Sequence, residues 1–485
     1  MTQTRRKTRF TRGAALLRED VVTPLHHHDD ARDTLVVDVD GERRAMSPCE
    51  ADGFVTDNFS LPELTDVEHV DGGPRHISRR HVLAGAAAGI GGLLAGSLMP
   101  RYSFAATGDG TTARDLLVCV FMRGGFDGLS AVAPVGDSAY YAARPTIAVR
   151  PEQTIALDDT WGLNANMAAL RPLWDAGDFA VVQGSGSPEI SRSHFDDQAA
   201  VERAAPANVR SGWLGRHLQT SSAQTGTLRG VTVGSASVLS LATTAMDTLA
   251  MSSLDSFDLR THTPAARGRV RAVLDEMYGA AGGAVAEQAD TTFEAIDHVR
   301  SVREMGVSTA PGVTYPDSAW GRGLAEVAKV AKAGVGVEVA CLDIDDWDMH
   351  ARLGQAVNSG DWFSSRSRDL AQGLASFRED LGERWATTTV VTMSEFGRRV
   401  AENGSGGLDH GQGNTMFVLG GGINGGRVYG SVPSLRASNL VLGDVPVSVD
   451  YRQALAEIVT ARLGNGANLA EIFPGFTPGD PLGIA

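Results

Sequence analysis

The sequence is poor in aromatic residues, in positive charge and in cysteine. Aromatic residues make up 6% of its 485 residues, which argues against a platform that stacks single-stranded nucleic acid. The 43 basic and 58 acidic residues give a formal charge of −15, which argues against partners such as nucleic acid or an anionic membrane. Three cysteines, Cys49, Cys119 and Cys341, do not make a disulfide framework. We expect Cys119 and Cys341, which lie in apolar runs, to be buried free thiols, with a bridge between them as the alternative.

Two common catalytic signatures are missing as well. The chain has neither the G-x-x-x-x-G-K-[ST] spacing of a phosphate-binding P-loop nor the G-x-S-x-G elbow of common serine esterases. The run "VLGGGINGGRVYG", residues 418–430, contains too much glycine for a helix and indicates a turn between strands. We therefore predict no nucleotide cofactor and no serine esterase of the common type.

An export signal is predicted inside the chain. Arg79 and Arg80 precede an alanine-, glycine- and leucine-rich run at residues 82–99, and small residues follow around Ala105. The run is too weakly apolar to predict a membrane span, so the mature protein should have no stable one. The pair of arginines resembles the twin-arginine signal, which implies recognition by the twin-arginine export machinery. We predict a signal peptide over residues 77–106 and a location in the periplasm, the cell wall or outside the cell.

The residues before this signal are charged and contain few aromatic side chains. We predict that residues 1–76 form a disordered extension. The run "HHHDD", residues 26–30, is similar to a metal-binding tract, but it precedes the signal and is interpreted as a solvated tail.

The exported part alternates strand-like and helix-like segments. Strands are predicted at residues 116–122, 179–183, 337–344, 387–393 and 415–419. Helices are predicted at residues 167–175, 194–204, 267–302 with an interruption at 279–283, 324–333, 365–381 and 451–463. This alternation predicts an α/β domain over residues 113–485, a three-layer sandwich with a mostly parallel central sheet. Residues 208–314 carry weaker strand patterns and are interpreted as an insertion or cap.

Polar residues follow the first two predicted strands of this domain. Arg123 and Asp127 lie in a glycine turn, "MRGGFDGL", where the alternative to a functional role is an aspartate that caps a helix. Ser193, in "SRSHFDDQ", lies at a predicted helix start, where free backbone N–H groups would stabilise an alkoxide or a bound oxyanion. The alternative is an ordinary capping serine.

Acidic residues crowd the end of the strand predicted at 337–344. The segment "CLDIDDWDMH" contains Asp346 and Asp348 among four aspartates, and it ends at His350. So many carboxylates repel one another unless a cation or several donors neutralise them. This favours a hard-metal or zinc site over a solvated loop.

A second group of polar residues follows the strand predicted at 387–393. Glu395 comes directly after that strand, and His410 follows a glycine-rich turn. Together with His350 and one aspartate, His410 would form a ligand set of two histidines and one carboxylate.

Several motifs, taken in order, resemble the bacterial domain of unknown function 1501 family. They are "FMRGGFDGL", "SRSHFDDQ", "DDWDMH", "SEFGRRVAENGSGGLDHGQGN" and "EIFPGF", and the similarity runs over about residues 114–485. That family is grouped with the alkaline phosphatase and sulfatase superfamily. The resemblance implies one large α/β sandwich, one or two divalent metal ions, commonly zinc, and a serine, threonine or formylglycine nucleophile.

The resemblance also implies roles for individual residues. The implied nucleophile is Ser193, and the implied metal ligands are Asp127, Asp348 or Asp346, His350 and His410. The superfamily usually has Asp-His after the strand at 387–393, whereas this chain has Glu395 and Phe396. That departure removes one histidine of a second metal site and leaves a single metal, or a second one held by Asp127, Glu395 and other oxygen ligands.

The positive charge of a missing second ion would then come from arginine. Arg123 and Arg398 are the candidates for stabilising the oxyanion of an ester. The expected function is an exported, metal-dependent hydrolase of phosphate or sulfate esters that uses Ser193 or a metal-activated water. The alternative is a non-catalytic, secreted metal-binding or cell-envelope assembly protein that keeps the fold.

Overall fold

The computed structural model describes two strands near the start of the chain and most of the chain from residue 115 onward. The described part is 115–485 apart from 222–228, 235–238, 243–248, 252, 260, 262, 355–356 and 358–359. The chain divides into two compact units, residues 1–91 and 92–485. The predicted signal peptide, the residues 26–30 and Cys49 lie outside the described residues.

In the first unit, β1 (Leu35–Val39) pairs antiparallel with β2 (Glu42–Met46). The sequence predicted no strand in this extension.

The second unit alternates strands and helices along the chain. Its strands are β3 (Leu116–Met122), β4 (Val132–Pro134), β5 (Thr154–Ala156), β6 (Trp161–Asn164), β7 (Phe179–Gly186), β8 (Gly230–Val233), β9 (Leu249–Met251), β10 (Val339–Ile344), β11 (Thr388–Met393), β12 (Asn414–Gly420), β13 (Arg427–Gly430) and β14 (Val449–Asp450). Its α-helices are α1 (Gly128–Ala131), α2 (Ser138–Ala143), α3 (Arg171–Asp175), α4 (His194–Arg203), α5 (Trp213–Thr220), α6 (Pro264–Ala281), α7 (Gly283–Glu304), α8 (Ala319–Lys332), α9 (Trp362–Leu381), α10 (Tyr451–Ala461) and α11 (Leu469–Ile472).

The central sheet has the strand order β13-β7-β12-β11-β3-β10-β8-β9, and β14 pairs with β7. All of its pairings are parallel except those of β12, which runs antiparallel to both β11 and β7. The prediction of an α/β fold with a mostly parallel central sheet is therefore confirmed. The segment 208–314 contributes β8 and β9 to one end of this sheet, and α6 and α7 follow them.

Both faces of the sheet are covered, as the composition of β3 shows. All seven residues of β3 are buried, so the strand is apolar throughout instead of alternating with polar residues. Leu116, Val118 and Val120 pack into one hydrophobic cluster, whereas Leu117 and Cys119 pack into the other. Because successive side chains of a strand point to opposite faces, these two clusters are the layers above and below the sheet.

The two described cysteines lie side by side in the sheet. Cys341 of β10 is in register with Cys119 of β3, and both are buried free thiols. The expectation of free thiols is confirmed.

The predicted elements differ from the observed ones mainly at their ends. Helix α8 begins at Ala319, five residues before the predicted start, because the hydroxyl of Ser318 caps it by accepting a 3.1 Å hydrogen bond from the Gly321 N–H. Among the described residues, no helix is long and apolar enough to cross a membrane.

Candidate metal centre

The direction of the strands brings distant polar segments to one edge of the sheet. Strands β10, β3 and β11 are parallel, so the segments that follow Ile344, Met122 and Met393 leave the sheet at the same edge. Strand β7 runs in the same direction, because it and β11 are both antiparallel to β12. Strand β12 begins at this edge, so the segment before Asn414, which contains His410, also lies there.

Three histidines surround one aspartate at this edge. One ligand atom from each of His194, Asp348 and His410 can be chosen so that all lie within 4.8 Å of one another. The Nε2 atoms of His194 and His410 each lie 3.4 Å from a carboxylate oxygen of Asp348. The Nε2 atom of His350 lies 3.1 Å from Asp348 Oδ1 and 2.9 Å from His410 Nε2. We call these four residues the histidine cluster.

A buried carboxylate orients the first histidine. His194 Nδ1 lies 2.7 Å from Oε1 of Glu395, whose side chain is buried. The hydrogen bond with Glu395 raises the pKa of His194, and the carboxylate of Asp348 adds to this effect, while partial burial opposes it. With Nδ1 held by a carboxylate, Nε2 faces Asp348; it is buried and makes no hydrogen bond, although it is 3.4 Å from that carboxylate.

The other two histidines are oriented in a similar way. His410 Nδ1 lies 2.8 Å from the main-chain oxygen of Arg192, and His350 Nδ1 lies 3.3 Å from Oδ1 of Asp409. Each ring therefore has an acceptor beside Nδ1 and presents Nε2 to the cluster. Metal-binding histidines commonly have this arrangement, because the outer acceptor fixes the tautomer and the ring orientation.

Glu395 is itself held by several donors. Its Oε1 accepts hydrogen bonds from the Gly124 N–H at 2.8 Å and from Gln198 Nε2 at 3.0 Å, in addition to its contact with His194. Burial alone would raise the pKa of Glu395, but the hydrogen bonds from His194, Gln198 and Gly124 lower it overall. The carboxylate is therefore an anchor for His194, one step behind the cluster.

Arg398 holds Asp348 in place. Its Nη2 donates to Asp348 Oδ1 at 2.6 Å and to the main-chain oxygens of Gly124 and Trp347, while Nε and Nη1 donate to the main-chain oxygens of Gly125 and Leu408. Partial burial would raise the pKa of Asp348, but hydrogen bonds with His410 and Arg398 lower it well below its usual range. Because Arg398 is buried and its donors are occupied, it positions Asp348 and is not free to bind a substrate oxyanion.

Ser193 adjoins the cluster through its neighbour His194, whereas Arg123 is connected to it through Gln198 and Glu395. Ser193 is the N-cap of α4, and its hydroxyl accepts a long hydrogen bond of 3.4 Å from the Asp196 N–H. The guanidinium of Arg123 pairs with Asp343 at 2.8 Å and with Glu202 at 2.9 Å, and it donates to Gln198 at 3.1 Å. Gln198 in turn donates to Glu395, so Arg123 supports the cluster from a distance.

Besides Glu395, which lies one step behind the cluster, two further predicted ligands are not among its members. Both carboxylate oxygens of Asp127 accept hydrogen bonds from the buried guanidinium of Arg144, at 2.7 and 3.0 Å. Asp346 turns away with a positive φ of 74°, and its carboxylate is 3.9 Å from Arg366. The structure thus gives Asp127 a structural partner in place of the metal that the resemblance implied.

Phe396 packs against the histidines from the protein side. Its ring centroid lies 4.5 Å from that of His410 and 4.9 Å from that of His194, and its side chain is buried. Phe396 and Arg398 therefore place a ring and a fixed cation beside the cluster on the segment that follows β11.

The donor set fits a transition metal such as zinc. Imidazole nitrogen and carboxylate oxygen are the usual zinc ligands in proteins, and four of them complete a tetrahedral site. The unbonded Nε2 of His194 supports this fit, because a buried polar atom without a hydrogen bond is costly unless something satisfies it.

A family model described as "Protein of unknown function (DUF1501)" matches residues 180–447. The chain belongs to the DUF1501 family. The match spans more than half of this DUF1501 protein and includes Ser193, Glu395 and the histidine cluster, while Arg123 and Asp127 lie before it. No protein of curated function matches the sequence.

Solved structures similar to this DUF1501 protein come from other proteins at low identity. Ps i-CgsB in complex with k-i-k-neocarrahexaose is 12% identical, with 72% of each chain covered and a TM-score of 0.30. The C-terminal periplasmic domain of EcEptC from Escherichia coli, in a complex with Zn, is 10% identical, with 66% of this chain and 77% of that chain covered and a TM-score of 0.31. An alkaline phosphatase superfamily protein from Vibrio parahaemolyticus is 9% identical, with 69% and 66% covered and a TM-score of 0.28. At such scores the likeness carries no argument about activity.

Sequence reasoning about this DUF1501 protein missed one member of the cluster. His194 directly follows the proposed nucleophile Ser193. The signal for His194 was its place in the first turn of a helix that follows a strand end, where side chains face the same edge as the other ligands.

Proposed function

We propose that this protein is a metal-dependent hydrolase of phosphate or sulfate esters. The observation that carries the proposal is the convergence of three Nε2 atoms, from His194, His350 and His410, on the carboxylate of Asp348. Their Nδ1 atoms face protein acceptors, so the ligands are held in place before any ion binds.

The four residues of the histidine cluster would hold one divalent metal ion, with zinc as the best match to their chemistry. Such an ion would supply Lewis-acid activation of an ester oxygen or of a water molecule. Glu395 would hold the tautomer of His194, and Arg398 would keep Asp348 ionised and directed at the cluster.

Ser193 is the proposed nucleophile among the protein's own groups. It precedes the proposed metal ligand His194, and among the described residues its hydroxyl is held by one hydrogen bond, 3.4 Å from the main-chain N–H of Asp196. The start of α4 would stabilise negative charge on that oxygen, because the helix dipole is positive there.

A second candidate function is metal binding without hydrolysis. It is favoured by the state of the two arginines that were expected to stabilise an oxyanion. Arg398 is buried with its donors occupied, and Arg123 is paired with Asp343 and Glu202. A metal-binding or envelope-assembly protein of this fold needs no free cation beside the metal.

Two measurements on the full-length protein separate these functions. The first is elemental analysis with zinc titration, where His194→Ala and His410→Ala should lose the ion and His298→Ala, on α7, should keep it. The second is a screen of p-nitrophenyl phosphate, bis-p-nitrophenyl phosphate and p-nitrophenyl sulfate. Failure to bind any divalent metal would refute both functions, whereas metal binding without cleavage of any ester would favour the second.

If an ester is cleaved, Ser193→Ala identifies the attacking group. Loss of cleavage with the metal retained would assign the nucleophile to Ser193. Unchanged cleavage would assign the attack to water.

A further inference from the structure

A cavity of about 540 Å³ lies next to the histidine cluster. It is open to solvent on one side and is bordered by α2, by residues 399–403 and by the loop at 435–443. Its volume is within the range of about 300–1,000 Å³ that is typical of small-molecule sites.

The lining combines apolar side chains with arginine. Ala142, Leu435 and Leu440 supply apolar surface, while Arg399 and Arg436 supply positive charge. Arg436 is exposed, and its side chain has no ion pair or hydrogen bond with any residue that the structure describes. Arg399 approaches the carboxylate of Asp444 at 3.5 Å and donates a hydrogen bond to the main-chain oxygen of Leu442.

The acidic residues in the same lining are already satisfied by the protein. Both oxygens of Glu402 accept hydrogen bonds from the segment Thr146 to Ile147, at 3.0 to 3.1 Å. Asp409 accepts from Asn403 Nδ2 at 3.0 Å and contacts His350. Both carboxylates of the lining are therefore engaged by protein donors, whereas Arg436 is a charged group of the lining that has no partner among the described residues and is available to bind an anion.

The backbone connects this cavity to the histidine cluster. Arg398 pairs with His410 in an isolated antiparallel bridge, and the Arg399 N–H donates to the Asp409 main-chain oxygen at 3.0 Å. Arg398 and His410 contact Asp348, whereas their neighbours Arg399 and Asp409 line the cavity. Asp409 also contacts His350, so it is shared by the cavity and the cluster.

We propose that this cavity binds a small amphiphilic anion, an apolar organic group with a negatively charged substituent held by Arg436 and Arg399. The assignment of this molecule as part of the substrate rests on the proposed function: the metal site would act on an ester whose organic group lies in the cavity and carries a second negative charge. Binding of the anion itself does not depend on hydrolysis.

Two fluorescent probes test the binding in the full-length protein. 8-Anilinonaphthalene-1-sulfonate is apolar with one sulfonate, and N-phenyl-1-naphthylamine is its neutral analogue. Arg436→Ala should weaken binding of the sulfonate about tenfold and leave the neutral probe unchanged, because only a charge-assisted hydrogen bond is lost. Ala142→Trp should weaken both probes by filling the cavity.

Matched controls are Arg322→Ala, an exposed arginine on α8, and Ala272→Trp, an exposed alanine on α6, neither of which lines the cavity. Both controls should bind as the wild type does. Equal affinity of the sulfonate for the wild type, Arg436→Ala and Ala142→Trp would overturn the proposal, as would equal affinity of the two probes for the wild type.

Kinetics distinguish this inference from the proposed function. With an ester that the protein cleaves and whose organic group carries a second negative charge, Arg436→Ala should raise KM about tenfold and leave kcat unchanged, as expected for a contact made equally before and in the transition state. Unchanged KM in both Arg436→Ala and Ala142→Trp would refute the substrate assignment. Probe binding that depends on both residues, in a protein that cleaves no ester, would refute the hydrolase and support the anion site.

Discussion

Asp127 gives the sharpest test of the structure against the resemblance, because the two assign it different partners. The resemblance implies a metal ligand, whereas the structure pairs it with Arg144 at 2.7 and 3.0 Å. Arg144 is fully buried, and Asp127 is 4% exposed. We therefore predict that Asp127→Asn destabilises the fold and leaves zinc affinity unchanged.

The size of this effect follows from the surroundings of Arg144. Its remaining hydrogen bonds go to Ser130 Oγ and to the main-chain oxygens of Arg399 and Val400, so no other carboxylate in the described part of the chain neutralises it. Breaking a buried ion pair by removing one partner costs about 3 to 5 kcal/mol of unfolding free energy. Removing both charges in Asp127→Leu with Arg144→Met should recover much of that loss, because no buried charge is left unpaired.

The assay is urea unfolding of the metal-free protein, together with a separate zinc titration. A matched control is Asp175→Asn, which breaks the exposed pair that Asp175 forms with Arg171 at 2.8 Å and should cost about 1 kcal/mol or less. The reasoning is refuted if Asp127→Asn unfolds like the control. A fall in zinc affinity at unchanged stability would show that the carboxylate serves a metal after all.

Three further predictions concern the anchor of His194, the turn after β3 and a buried pair far from the cluster. Glu395→Gln should lower zinc affinity about 10- to 100-fold, because the amide is a weaker hydrogen-bond acceptor for His194 Nδ1 than the carboxylate is. Isothermal titration calorimetry measures the affinity, and an unchanged value would show that Glu395 does not support the metal site. Gly124→Ala should lower both stability and zinc affinity, because the φ of Gly124 is +111° and an added Cβ would lie 2.6 Å from the main-chain nitrogen of Asp348. The control Gly177→Ala, at φ +76° with open space around it, should cost only about 1 to 3 kcal/mol of stability and leave zinc affinity unchanged. Equal zinc affinity in the two variants would contradict this prediction. Burial would raise the pKa of Glu338, but its hydrogen bonds and charge interactions with His217 and Arg229 lower the pKa overall from its ordinary value of 4.5. The ionised carboxylate therefore stabilises the folded protein above the unfolded-state pKa, and this stabilisation is lost as the pH falls through the folded-state pKa. The urea midpoint should therefore fall less between pH 5 and pH ~3.5 in Glu338→Gln than in the wild type. The exposed control Glu383→Gln should behave as the wild type does. An equal fall in all three proteins would count against the proposed role of Glu338.

The strand pattern of this chain was readable because burial on both faces leaves a local signature. β3 is predicted and observed at the same residues, since a strand covered on both sides must be apolar throughout. Helix ends were less accurate: α9 begins at Trp362, three residues before the predicted start. End positions depend on capping contacts and on packing as well as on periodicity.

The roles of charged residues were less readable, because they depend on partners far away in the sequence. Asp127 and Arg144 are 17 residues apart, and the pairing of Arg398 with Asp348 spans 50 residues. A carboxylate in a turn has the same local sequence whether its partner is a metal, an arginine or water. Only the burial of Arg144 decides that Asp127 is its counterion.

The sequence by itself determined the α/β fold class, the places of five central strands along the chain and the edge at which polar residues would gather, because these follow from local periodicity and from the direction of parallel strands. The tertiary structure decided which of those polar residues meet. It brought His194 to Asp348 and His410, with His350 also against Asp348, and it gave Asp127 and Arg398 partners inside the protein. The reason is physical: a ligand set is defined by distances of a few ångströms between side chains that are far apart along the chain, and only the packed sheet fixes those distances.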